Sequence, residues 1–168
     1  MIPISRAERQ WILRTMARGI VEYLGTIEPP VPVEDLLTHP PNVYASDFGV
    51  VEMFSNLWDA TFARPPSQRG SIFVRNDLEP KDRRFALARE TLSAIITSKH
   101  GRSLGLYDLF LPNLKESAEY FARHLLAPEP LLLGSNSDIT NSDDLADKFV
   151  LPYQMAELRW RESPFSIN

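Results

Sequence analysis

Apolar residues recur every three or four positions along three stretches of the chain and run as a short β-rich block in a fourth. Phe85, Ala88, Leu92, Ile95 and Ile96 fall on one stripe, predicting a helix over about 80–99. Asp77 or Glu79 with Pro80 would open it, and Gly101 would close it as a C-cap. Ala118, Phe121, Ala122, Leu125 and Leu126 mark a second helix over about 113–127, stopped by Pro128 and Pro130. Ser5 caps a third over about 6–24, with Trp11, Ile12, Met16, Ile20 and Leu24 near helical spacing. Ser71–Arg75, bounded by Gly70 and Asn76-Asp77, reads as a strand.

The segments between are less regular. Val33–Leu37 predicts a short helical turn. Over 42–62 the pattern is ambiguous: Val43–Ala45 suits a strand, and Val50–Trp58 suits either a partner strand or a helix. Residues 63–70 and 101–112 read as loops, and 134–141 is the most linker-like segment. Beyond it, Ser142 caps one short helix and Pro152 starts another, a pair resembling a helix-turn-helix unit. The expectation is an α+β fold, several helices around a small sheet, with a domain over 1–134 and a C-terminal helical appendage over 135–168.

Composition narrows the function classes. The 168 residues are 43% hydrophobic and 24% charged with a net charge of −4, which gives no general reason to expect nucleic-acid binding. No cysteine is present, which removes disulfides, thiolate zinc sites and cysteine nucleophiles. The opening MIPISRAERQW lacks the pattern of a signal peptide, and no apolar run could span a bilayer. A cytoplasmic protein is expected. There is no G-x-S-x-G elbow and no phosphate-binding glycine loop.

Arg84–Ile96, read as R-F-A-L-A-R-E-T-L-S-A-I-I, resembles the R-F-x-L-A-H-E-x-x-H-x-L-L motif of the ImmA/IrrE zinc metallopeptidases. Ala118–Pro128 is similar to that family's A-N-x-F-A-x-x-L-L-M-P stretch. The strand-like GSIFVRND precedes the first motif, as the family's edge strand does. Leu145–Val150 resembles its L-A-x-x-F-x-V-S helix pair, with Val150-Leu151-Pro152 departing at the turn. The resemblance covers nearly the whole chain and implies a zincin-like helical core with a small β-sheet and a C-terminal pair of short helices.

It also implies an erased metal site. In the active motif two histidines at i and i+4 bind zinc, and the glutamate between them activates water. Here the first ligand position is Arg89, the catalytic position is a vestigial Glu90, and the second ligand position is Ser93. The third ligand, a glutamate in the family, corresponds to Lys115. Guanidinium offers only donors, so no zinc and no other metal or cofactor is expected. On the second helix Glu116 would point away from the buried face, while Lys115 and Glu119 flank it. Arg89 is therefore expected to pair with Glu119 or Glu90. His39, His100 and His124 are too dispersed to rebuild a site.

The resemblance implies protein or peptide binding without cleavage, with a DNA-binding repressor as the partner and regulation of a repressor or stress response as the role. Ile72, Phe73 and Val74 would form the edge of a peptide groove. Alternatives are a residual zinc-dependent peptidase with a rearranged site, and a structural interaction module without a groove. Arg159, Arg161 and Trp160 invite a reading as phosphate contacts, but the surrounding acidic residues oppose direct nucleic-acid binding. No membrane association is expected.

Overall fold

In the computed structural model, which describes residues 4–135 and 138–166, helix α1 (Arg6–Leu24) opens with a reciprocal cap. Ser5 Oγ accepts the Glu8 N–H at 3.2 Å, and the Glu8 carboxylate accepts the Ser5 N–H at 2.7 Å. Its core face is Leu13, Ala17 and Val21; Ile12, Met16, Ile20 and Leu24 flank it half-buried, and Trp11 is 61% exposed. The predicted stripe is thus rotated by about one residue. The small Ala17 faces the core and allows close packing on the second long helix.

Helix α2 (Val33–Thr38) follows. Residues 43–45 are not a strand, because Asn42–Tyr44 form a 3-10 turn. Three strands then appear: β1 (Val50–Met53), β2 (Ala60–Ala63) and β3 (Ser71–Arg75). Their order is β1-β3-β2, with β3 parallel to β1 and antiparallel to β2. The strand expected at an edge is therefore the centre of the sheet. Both sides of Ile72, Phe73 and Val74 are occupied by neighbouring strands, which corrects the expectation of a peptide groove along them.

Helix α3 (Pro80–Thr97) packs between this sheet and α6 (Leu114–Leu126), burying Leu87, Ala88, Leu92, Ile95 and Ile96. It ends before the predicted cap. Ser98 leaves helical geometry at φ −61° and ψ 161°, and its Oγ accepts the Gly101 N–H at 2.9 Å, starting α4 (Lys99–Ser103). Gly101 therefore lies inside a helix, and a Cβ there would collide with the Ile95 carbonyl. The predicted loop at 101–112 contains α5 (Leu106–Phe110) and a 3-10 turn.

Helix α7 (Glu129–Gly134) ends at the first residue of the linker-like segment, of which residues 136 and 137 lie outside the described residues. Ile139 is buried. Asn141, not Ser142, caps α8 (Ser142–Lys148), accepting from the N–H groups of Asp143 and Asp144. Helix α9 (Tyr153–Arg161) follows. Leu145, Phe149, Leu151 and Ala156 are fully buried in the same hydrophobic core as α3 and α6.

Candidate functional site

The two residues at the centre of the resemblance, Arg89 and Glu90, meet the outer edge of β2. The Arg75 N–H donates to the Asp59 carbonyl at 2.8 Å, and Thr61 sits opposite Phe73. The alternation of an antiparallel ladder then turns the backbone groups of Ala60 and Phe62 away from β3. Glu90 Oε2 accepts the outward Phe62 N–H at 3.1 Å, and Arg89 Nη2 donates to the outward Ala60 carbonyl at 3.4 Å. Arg89 Nε also donates to Glu90 Oε1 at 3.1 Å. Side chains of α3 thus satisfy the donor and acceptor that a further strand would use. Glu90 is only 14% exposed and Arg89 25%, so this clip is largely withdrawn from solvent.

Other predicted positions join it only partly. Ser93 lies one turn further along α3, half-buried, and its carbonyl accepts the Thr97 hydroxyl at 2.7 Å. Lys115 is exposed at the start of α6. Glu119 is half-buried and has no ion pair among the described residues; the carboxylate that Arg89 finds is Glu90.

This set does not fit zinc. Zinc needs neutral imidazole or anionic donors with free lone pairs. Arg89 donates, Lys115 is an exposed ammonium, and each Glu90 oxygen already accepts a hydrogen bond. Among the described residues no group of three or more histidines and carboxylates is placed to hold a metal. His39 lies beside Thr38, His100 edges against Tyr44, and His124 is buried toward the far end of α6.

A partly buried polar cluster joins α6 to the end of α9, and the sequence patterns did not reveal it. Arg123 donates twice to Glu162, at 2.7 and 3.3 Å. His124 Nε2 lies 3.3 Å from Glu162 Oε2 but is too poorly directed for a hydrogen bond. Burial, with Arg159 and Arg123 nearby, lowers His124 to a pKa of about 4. Burial would raise Glu162, but His124 and Arg123 beside it bring its pKa down to about 2. Arg159 is 1% exposed and its Nε donates to the Ala127 carbonyl at 2.9 Å, so it is not a phosphate contact. Arg161 pairs with Glu157.

The loop from β1 to β2 exposes three large apolar side chains, Phe54 at 91%, Leu57 at 79% and Trp58 at 59%. Ser55 Oγ holds it by accepting the Leu57 and Trp58 N–H groups, each at 3.1 Å.

The chain matches the peptidase M78 family, described as the IrrE N-terminal-like domain, over residues 45–161. It belongs to that family. The matched span of this IrrE-like domain includes all three strands, the Arg89–Glu90 clip and the helices through α9. No curated protein matches the sequence. Among solved structures, a Mycobacterium tuberculosis transcriptional regulator superposes with a TM-score of 0.65 at 15% identity, covering 93% of this chain and 49% of that one. The likeness establishes a shared fold, and the chain spans about half the length of that regulator. No helix among the described residues is long and apolar enough to cross a membrane.

Proposed function

We propose that this IrrE-like domain is a catalytically inactive, zinc-free relative of the metallopeptidases that works in the cytoplasm by binding protein, regulating a transcriptional repressor or a stress response. The supporting observation is the Arg89–Glu90 clip. The glutamate that would activate metal-bound water instead holds the Phe62 N–H, and the residue that would ligate the metal is its cationic partner. The regulatory half of the reading rests on family membership and on a fold shared with a transcriptional regulator.

The same geometry favours a particular mode of binding. A peptide adding to β2 would have to displace two side chains from Ala60 and Phe62. Contact through the exposed Phe54, Leu57 and Trp58 needs no such displacement. The interaction module without a peptide groove is therefore the form we favour, with a DNA-binding repressor as its partner.

Metal analysis of the purified protein tests the first half. We expect far less than one zinc per chain, and gain of zinc in the triple variant R89H/S93H/K115E; stoichiometric zinc in the native protein would overturn the reading. For the second half, binding of a purified helix-turn-helix repressor should be lost in F54S/W58S and retained in R89A, and a repressor bound equally well by F54S/W58S would overturn the reading.

A further inference from the structure

A cavity of about 350 Å³ opens between α1 and the corner joining α6 to α7, and it shares no residue with the Arg89–Glu90 clip. Its mouth is apolar: Trp11 and Leu133 are 61% and 53% exposed there. Along α1, Arg14 and Arg18 lie one turn apart and both line it. Arg14 Nη1 donates to the Tyr120 hydroxyl at 2.7 Å and has no carboxylate partner among the described residues. Arg18 shares only the exposed Glu22, at 3.4 Å. His124, whose side chain is 7% exposed, lines the cavity with an Nε2 that lacks a well-aligned partner. Near it, Arg123 pairs with Glu162, while the buried Arg159 has the charges of Glu162 and Glu129 nearby and an Nη1 without a partner. Positive charge thus exceeds negative around an apolar opening, a setting that favours an anion. Glu129, which also lines the cavity, opposes a second negative charge.

We propose that this cavity binds a small organic monoanion with an aromatic body, of the aryl-alkyl carboxylate class. The carboxylate would bridge Arg14 and Arg18, and the ring would lie between Trp11 and Leu133. Arginine suits this role because its fork matches a carboxylate in two hydrogen bonds.

Calorimetric titration of the full chain with 4-phenylbutyrate, its neutral amide and phenylsuccinate tests the assignment. The monoanion should bind at least about tenfold more tightly than the amide or the dianion. R14Q should erase the preference over the amide, and L133D should abolish binding of all three. Melting temperature serves as the folding control, and R18Q carries the same expectation as R14Q if that variant unfolds. Equal affinity for acid and amide, a preference that survives both arginine variants, or failure of 4-phenylbutyrate to bind would each overturn the proposal.

Discussion

Arg89 and Glu90 follow one another on α3, where successive side chains diverge by about 100°. They come together because both reach the same strand edge. Removing the carboxylate leaves the Phe62 N–H and the half-buried Arg89 Nε without their acceptor. E90A should therefore cost about 1–3 kcal/mol in urea denaturation, and E90Q, which keeps an acceptor, should cost less. A gain in stability for E90A would instead mark the strain typical of a working active site. Val150 presents a different kind of strain. It joins α8 to α9 with φ at 53°, a region that β-branched residues rarely occupy. V150N should raise the melting point, by a stability gain of roughly 0.5–1 kcal/mol. The sequence marked this turn as departing from the family pattern, but not the backbone conformation behind the departure.

At the scale of elements, the long helices were legible because one apolar stripe is enough to define them. The short ones at 99–110 were not, because their stops depend on tertiary packing. Gly101 illustrates this: the residue reads as a helix end, yet it sits where α4 crosses the backbone of Ile95. G101A should destabilise the protein by about 1–3 kcal/mol in thermal melts through overpacking of the Ile95 backbone. The sheet was legible only in part. Ser71–Arg75 was recognisable as a strand from its β-rich composition, but its central place depends on pairing with two four-residue strands too short to be read from pattern alone.

Across the whole molecule, the C-terminal helices are tied to α6 by buried charge as well as by apolar packing. The Arg123–Glu162 pair links residues 39 apart in sequence, and no local pattern announces it. Its consequence is acid sensitivity. His124 falls from 6.5 when unfolded to about 4 when folded, and Glu162 from 4.5 to about 2. Both groups bind protons more readily in the unfolded chain, so their stabilisation is complete above pH 6.5 and is lost as pH falls from there toward 2. Thermal melts should show this slope. H124Q should flatten the part between pH 6.5 and 4, which amounts to about 3 kcal/mol at most. E162Q, which keeps an acceptor for Arg123 but removes the charge, should destabilise the protein at pH 7 by about 1–3 kcal/mol, and less so near pH 2.

By itself the sequence determined the fold class, the family and the residue types at positions 89, 90, 93 and 115. Each of these is written in local periodicity or in the identity of single side chains. Only the tertiary structure decided that Glu90 is the partner of Arg89 and Glu119 is not. It alone placed β3 at the centre of the sheet and brought the buried His124 and Arg159 beside Glu162. Those outcomes depend on which backbone groups are left facing outward once distant segments have paired, and on which charges lose water together when helices pack.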